Sequence, residues 1–390
     1  MITKLASVLL AAVLMLPASA LADDNSSQLT VRIRALTQQF DKIANRGSSA
    51  PGGLAEAREK YGTLLREGAA AALESRELRN HAEIFVLSGG DVSVLMPLGE
   101  DLEPQTNEKK LFDGIVAYGK GRTAEAESIL LSLDASSFDT SRGAHLSLAQ
   151  ALLSSRTNPE RAFEHFEKAR LLLPGTLIDE AALRQIVVLA SKTSDRERYS
   201  RAAISYLSRF RRSAYVAGFE TQLAFHIVRF DGRDGLLILQ ELLNAHPQGW
   251  GRCLACFLAS ISEQAILSGK VDLASTAAQA ALPFAANDSS EKQRLLLYNG
   301  AALIVTKDFA RGLDALNSVR TSNLDKKDRE LHLASLALAA KLRATPAPLS
   351  QLDASASGLT KHHYDFLPGD PQAEAKAALA SADAMLAQAR

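Results

Sequence analysis

The sequence predicts an all-α protein, built as a tetratricopeptide-like solenoid in which helix pairs repeat along the chain. Three observations lead to this fold class. Leucine and alanine dominate a chain of 390 residues that is 47% hydrophobic but only 6% aromatic, which favours helix over sheet. A regular spacing recurs between residues 126 and 319, and the length exceeds that of an ordinary single core, so a repeat array accounts for both.

The recurring spacing consists of a small residue, a large residue four positions later and an apolar residue three positions after that. The small residues are Ala126, Ala162, Ala202, Gly235, Ala274 and Gly312. A small residue lets the second helix of a pair approach the first, and the large residue fills the gap to the next pair. The tetratricopeptide pattern has this form and a period of about 34 residues. A non-repeating helical bundle is the alternative interpretation.

Twelve helices are predicted in consecutive pairs along these repeats. The pairs are Glu108–Lys120 with Thr123–Leu133, Gly143–Ser154 with Pro159–Leu172, Asp179–Ser191 with Asp195–Phe210, Tyr215–Arg229 with Asp234–Ala245, Arg252–Leu267 with Val271–Leu282, and Ser290–Thr306 with Phe309–Val319. Asn158 is a suitable N-cap because Pro159 follows it at the first helical position. Gly121 and Gly269 are placed at turns between helices, and Pro174 and Pro247 end their units because proline cannot continue a helix.

The segments outside the repeats are predicted to contain further helices and linkers. Helices are expected over Gln28–Ala44, Leu54–Leu65 and Ala69–Leu87, with a flexible Gly/Ser/Pro-rich linker over Arg46–Gly53. Pro346 and Pro348 mark a second linker, which is followed by an alanine-rich terminal helix or tail. The predicted organisation is a leader at residues 1–22, an N-terminal helical region at 23–105, tetratricopeptide-like repeats at 106–343, and a Pro-containing linker and helical tail at 344–390.

The leader has the form of a secretory signal peptide. Lys4 precedes the uncharged run Leu5–Leu16, Pro17 breaks that run, and Ala20-Leu21-Ala22 fits the small-residue cleavage rule. Ala18-Ser19-Ala20 is a second possible cleavage site. As a helix the uncharged run reaches about 18 Å, which is too short for a membrane core of about 30 Å. The sequence therefore predicts an exported chain with no membrane span after cleavage.

Charge and motif content argue against several classes of function. The chain has 44 basic and 44 acidic residues, so it lacks the basic excess that nucleic-acid binding normally requires. The sequence contains no nucleophile elbow, zinc-protease motif, phosphate-binding loop or dinucleotide fingerprint. We therefore predict neither an enzyme nor a cofactor. His362, His363 and Asp365 form at most half of a metal site, because no further ligand has recognisable spacing, so no metal is predicted.

Cys253 and Cys256 form a C-x-x-C motif. A redox motif of this kind follows a strand and opens a helix, whereas a loop containing Pro247 precedes it here. Zinc would need two more ligands at a suitable spacing. We therefore predict two small core residues one turn apart, which an oxidising compartment can join.

A local group of arginines is predicted on the outward face of the helix Asp195–Phe210. Its members are Arg196, Arg198, Arg201, Arg209, Arg211 and Arg212, and the inward set is Tyr199, Ala202, Ala203, Tyr206 and Phe210. The favoured interpretation is a solvated face with a positive C-terminal turn that suits the helix dipole. The alternative is contact with an acidic partner or with peptidoglycan.

A partner-binding strip is predicted on the first helices of the pairs, which commonly line the binding face of a solenoid. On Tyr215–Arg229 the packed stripe is Phe219, Leu223, Ile227 and Phe230. Gln222, His226 and Arg229 are spaced four and three apart beside that stripe, and Arg184 and Arg294 lie on the first helices of other pairs. These five residues are the predicted partner-binding set, with a plain solvated face as the alternative.

Three stretches resemble the MotC family of periplasmic motility proteins of alphaproteobacteria, namely Ile84–Gly90, Leu173–Arg184 and Tyr206–Ser213. The resemblance implies a non-enzymatic periplasmic protein that is required for flagellar rotation. It further implies that the partner is the periplasmic part of the flagellar stator protein MotB. No binding residue is carried over from the family. The alternative function is a helical-repeat accessory domain of cell-envelope or peptidoglycan metabolism.

Overall fold

The computed structural model describes residues 29, 31–36, 38, 51–68, 76–98, 102–231, 233–245 and 254–344. Within those residues all regular structure is helical and no strand is present, which confirms the all-α fold class. The residues up to Ala339 belong to one compact unit, and those from Ala340 belong to a second unit, of which Ala340–Ala344 are described.

The helices follow the predicted order. Residues 31–36 are helical and precede α1 (Pro51–Glu67) and α2 (Arg76–Leu87). The paired helices are α3 (Asn107–Gly119), α4 (Thr123–Leu130), α5 (Thr140–Ser154), α6 (Pro159–Leu172), α7 (Leu177–Lys192), α8 (Arg196–Arg209), α9 (Val216–Ile227), α10 (Asp234–Ala245), α11 (Leu254–Leu267), α12 (Val271–Ala281), α13 (Ser290–Leu303) and α14 (Phe309–Asn317). They are followed by α15 (Lys326–Ala344).

Successive pairs are stacked side by side, as in a helical-repeat solenoid. Along the series α5, α7, α9, α11 and α13, each first helix contacts the next one, and the second helices α8, α10 and α12 contact one another in the same way. A continuous hydrophobic core extends from Ala151 to Ala302 through these pairs. Each pair therefore buries apolar surface against its neighbours as well as between its own two helices. This arrangement confirms the predicted stack.

The small residues of the recurring spacing lie where helices approach closely. Ala126, Ala162 and Ala274 are completely buried. A Cβ atom at Gly312 would lie 2.7 Å from the backbone nitrogen of Ile304. At Gly235 it would lie 2.9 Å from the carbonyl oxygen of Ile227. Glycine is therefore required at these two positions because backbone, rather than a movable side chain, occupies the space.

Substituting Gly312→Ala should destabilise the last repeats. The methyl group has to displace the backbone between α13 and α14, which costs about 1–3 kcal/mol and outweighs the gain of about 1 kcal/mol in helix propensity. Gly218→Ala is the matched control, because no atom lies within 4 Å of a Cβ there. Urea unfolding followed by circular dichroism should show a loss for Gly312→Ala only. Equal midpoints for the two variants would contradict this close approach.

Local signals place the helix ends. The Asn158 side chain accepts a hydrogen bond from the Arg161 backbone nitrogen at 3.1 Å, and Pro159 opens α6 as predicted. Gly121 and Gly269 adopt φ values of +71° and +68°, in the left-handed region that favours glycine. Both lie in the predicted turns.

One expectation for the segments outside the repeats needs correction, and one further helix is present. The predicted linker Arg46–Gly53 is wrong over its last three residues, because α1 begins at Pro51. Proline at the first helical position loses no intrahelical hydrogen bond, so it starts this helix rather than preventing it. The helix α15 lies beyond the last residue of the recurring spacing, so that spacing does not indicate it.

Several predictions fall outside the described residues. They concern the leader at residues 1–22, the start of the helix predicted over Ala69–Leu87, Pro247, Cys253, the possible metal ligands His362, His363 and Asp365, and the tail beyond residue 344. In the part of the chain that is described, no helix is both long enough and apolar enough to cross a membrane.

Candidate functional site

The segments Leu173–Arg184 and Tyr206–Ser213 come together in the structure around the adjacent carboxylates of Asp179 and Glu180. Both side chains start from the first turn of α7 and are almost completely buried. We refer to Asp179, Glu180, Tyr206, Arg209 and Ser213 as the Asp179–Glu180 cluster.

Asp179 accepts hydrogen bonds and ion pairs from three directions. The backbone nitrogen of Gly175 donates to Oδ2 at 2.8 Å, and Arg170 Nε donates to Oδ1 at 3.0 Å. The Arg209 guanidinium, at the end of α8, lies 2.5 Å from Oδ2. A carboxylate is favoured at this position because it also faces the positive end of the α7 dipole. Asp179 therefore joins the α6–α7 turn to α8.

Glu180 is held by two hydroxyl groups. The Tyr206 hydroxyl donates to Oε1 at 2.7 Å, and Ser213 Oγ donates to the same oxygen at 2.5 Å. The second oxygen, Oε2, is buried without a hydrogen-bond partner. Burial raises the pKa of Glu180, and burial together with the nearby Glu180 carboxylate raises the pKa of Tyr206. These hydrogen bonds connect α7 to the end of α8 and to the α8–α9 loop. Their role is structural, because both hydroxyl groups are already bonded to Glu180 inside the core.

Arg184 lies one turn beyond Glu180 on α7. Its guanidinium carbon is 4.4 Å from the ring centroid of Tyr215, the residue that precedes α9. Arg184 Nε is buried and has no hydrogen-bond partner. A cation stacked on an aromatic ring keeps its charge available to a further anionic group.

The predicted strip Gln222, His226 and Arg229 lies beside this region. Ser191 Oγ, at the end of α7, is 2.9 Å from His226 Nδ1, near the end of α9. Together with the Arg184–Tyr215 contact, this shows that α7 and α9 run side by side in the same direction. The Gln222 and Arg229 side chains are exposed. Desolvation lowers the pKa of the half-buried His226, with Arg229 and Lys192 acting in the same direction.

Arg294, the fifth predicted residue, has different surroundings. Its Nε donates to Asp328 Oδ2 at 3.0 Å, and its Nη2 donates to Glu263 Oε2 at 2.9 Å. Tyr298 also donates to Asp328, at 2.7 Å. These contacts tie α13 to α11 and α15. Arg294 therefore bridges helices, whereas the other four predicted residues lie on, or directly beside, the α7–α9 face.

The arginines around α8 divide into two groups. Arg201, Arg209, Arg211 and Arg212 are exposed, as predicted, whereas Arg196 and Arg198 are only partly exposed. Arg196, Arg198 and Arg209 also pair with carboxylates of neighbouring helices, which the interpretation as a plain solvated face did not include. Arg196 pairs with Glu241 of α10, Arg198 with Glu160 of α6, and Arg209 with Asp179 of α7. Sequence spacing places these residues outward, but the stacking of neighbouring pairs supplies carboxylates there.

A second buried ionic group joins the N-terminal helices to the repeats. Arg142, which is 1% exposed, contacts Glu83 Oε2 at 3.1 Å, Glu108 Oε2 at 2.6 Å and Asp139 Oδ2 at 2.6 Å. These residues form the Arg142 cluster. They bring α2, α3 and the start of α5 together. Burial raises the pKa of Glu83 to about 7, although Arg142 opposes that rise.

The described residues contain no group of three or more histidine, cysteine, aspartate or glutamate side chains that could hold a metal ion. Cys256 is disulfide-bonded, and the other cysteine of the chain, Cys253, lies outside the described residues. The α7–α9 face presents the charged and hydrogen-bonding side chains of Arg184, Gln222, His226 and Arg229.

Two comparisons with known proteins point to the same family. The family model described as chemotaxis protein MotC matches residues 1–390. The chain is also similar to the chemotaxis protein MotC of Rhizobium meliloti (strain 1021), with 30% identity over 265 residues. That alignment covers 66% of this chain and 59% of the Rhizobium protein, so less than two thirds of that relative's length is spanned.

Proposed function

Because this chain belongs to the MotC family of chemotaxis proteins, we propose that it is a non-enzymatic periplasmic scaffold required for rotation of the flagellar motor. The partner in this proposal is the periplasmic part of the stator protein MotB. The match of the family model over residues 1–390 is the observation that carries the proposal.

The architecture supports a binding role. A stack of helix pairs presents the side chains of successive first helices along one continuous face, which solenoids use to hold partners. Two buried acids of the described residues are engaged in structural contacts, because hydroxyl groups bind Glu180 and Arg142 pairs with Glu83. Fold alone does not define function, so the partner is argued from the family and the surface from the residues.

The proposed binding face lies on α7 and α9. Arg184, Gln222 and His226 lie on these two adjacent helices and Arg229 lies just after α9, where charged and polar groups meet the exposed Phe225 ring. Arg294 belonged to the same predicted set. Reversing its charge would also break the ion pairs with Glu263 and Asp328, so this residue is a poor probe of binding.

Two features support the periplasmic location. The leader at residues 1–22 has the sequence of a signal peptide. The disulfide bond of Cys256 is compatible with an oxidising compartment.

Deletion of the gene should abolish swimming while flagellar filaments are still assembled, because the proposed role concerns rotation rather than assembly. The full-length chain should restore swimming, and a chain lacking residues 2–22 should not, because it would remain in the cytoplasm. Swimming is scored in soft agar, filaments by electron microscopy and abundance by immunoblot. Normal swimming of the deletion strain would contradict the role in rotation. Rescue by the leaderless chain would contradict the periplasmic location.

A further inference from the structure

The turn between α8 and α9 presents two arginines from a firmly anchored backbone. The Ser213 backbone nitrogen donates to the Phe210 carbonyl at 2.9 Å, so residues 210–213 close into a turn with Arg211 and Arg212 at its tip. Phe210 is completely buried and Ser213 is 4% exposed, whereas both arginines are exposed. The two arginines are thus directed to solvent because both ends of the turn are fixed in the core.

The same turn is tied to α7 beside Arg184. Ser213 Oγ donates to Glu180 and accepts from the backbone nitrogen of Tyr215 at 3.1 Å. Tyr215 in turn carries the Arg184 guanidinium over its ring. Arg184, Arg211 and Arg212 therefore form one neighbourhood on the protein, which we call the basic patch.

The basic patch differs from the other cationic groups around α8. Among the described residues no carboxylate forms an ion pair with Arg184, Arg211 or Arg212, whereas Arg196, Arg198 and Arg209 are each paired. Arg184 interacts electrostatically with the buried Glu180, whose Oε1 accepts hydrogen bonds from Tyr206 and Ser213. In a chain with equal numbers of acidic and basic residues, this concentration of unpaired positive charge is a local feature.

From these contacts we infer that the basic patch docks an acidic segment of the partner protein, with carboxylate side chains received by Arg211 and Arg212 and the Arg184–Tyr215 stack at its edge. Arginine binds carboxylates through two parallel hydrogen bonds, and arginine and tyrosine are enriched at the centres of protein interfaces. A patch of three arginines on a neutral chain is too small for a nucleic-acid track, which neutralises many phosphates. This inference rests on the proposed function, because it names the surface that receives the stator domain.

The test measures binding of the purified periplasmic domain of MotB to the mature chain by biolayer interferometry at two salt concentrations. Arg211→Glu with Arg212→Glu should raise Kd at least about tenfold and reduce the salt dependence of the association rate. Arg184→Gln, which avoids placing a second carboxylate beside Glu180, should raise Kd by a smaller factor. Arg156→Glu with Arg233→Glu is the matched control, because both residues are exposed and the change in net charge is the same.

The possible outcomes separate the inference from the function beneath it. If the wild type binds and the Kd of the Arg211→Glu, Arg212→Glu variant stays within twofold of the wild-type Kd, with an unchanged melting temperature, the basic patch is not the docking surface. The proposed partner would still stand. Absence of wild-type binding would overturn both. If the wild type sediments with purified murein sacculi and the double variant does not, while both bind the MotB domain equally, the patch would be assigned to the cell wall. That result would overturn the inference.

Discussion

Above pH 7, where Glu83 is ionised, replacing Arg142 with methionine should lower the free energy of unfolding by about 3–5 kcal/mol, because the buried carboxylate then loses its counter-charge. Glu83 is 0% exposed and lies 3.1 Å from the Arg142 guanidinium. The same guanidinium holds Glu108 through two hydrogen bonds, of 2.6 and 3.1 Å, and pairs with Asp139. Methionine replaces the aliphatic part of the arginine side chain but satisfies none of these oxygens. Urea unfolding followed by circular dichroism measures the loss.

Arg76→Met is the matched control, since Arg76 pairs with the same Glu108 at 3.1 Å but its side chain is 75% exposed. This variant should cost less than about 1 kcal/mol, as exposed ion pairs contribute little. The double variant Arg142→Met with Glu83→Leu should recover part of the loss, because an apolar pair can replace a buried ion pair. If the Arg142 and Arg76 variants lost equal stability, the Arg142 cluster would not hold the N-terminal helices to the repeats.

The helix pairs could be predicted because their signals are local. The spacing of small and large residues recurs about once per pair, and Asn158 and Pro159 place the start of α6 at the predicted residue. The helix α10 also begins and ends where predicted. At Pro51 the same local reasoning failed, because proline is equally common in linkers and at the first turn of a helix.

The polar clusters could not be predicted in the same way, because their members are brought together by stacking. Glu83 and Arg142 are 59 residues apart, and Glu180 lies 26 residues from Tyr206 and 33 from Ser213. Periodicity assigns a face to each helix, but it does not say which residues of the next pair meet that face. One sequence feature does indicate a buried polar contact. Glu180 lies three residues before the buried Leu183, so its carboxylate is on the apolar side of its own helix.

The stability of the chain should depend on pH through Glu83. Burial raises the pKa of this carboxyl from 4.5 to about 7, against the opposing effect of Arg142. Glu108 adds to the rise and Arg79 opposes it. Between these two pH values the folded protein keeps a proton that the unfolded chain has lost. The protonated Glu83 therefore contributes fully to the free energy of unfolding below pH 4.5, and this contribution is lost as the pH rises through about 7.

Comparison of the wild type with Glu83→Gln should isolate this dependence, because glutamine does not titrate. The difference in unfolding free energy, wild type minus variant, should fall by roughly 2–3 kcal/mol between about pH 5 and pH 8. Desolvation lowers the pKa of His81 and His145, so these groups destabilise the fold as the pH falls, but the subtraction removes a contribution common to both proteins. Glu103→Gln, at an exposed glutamate before α3, should leave the profile unchanged.

Urea unfolding at constant ionic strength, with hydrogen exchange of α2 and α5 as a local readout, measures the effect. A difference that stays constant with pH would show that Glu83 is ionised throughout beside Arg142, and the cluster would then act as a permanent ion pair.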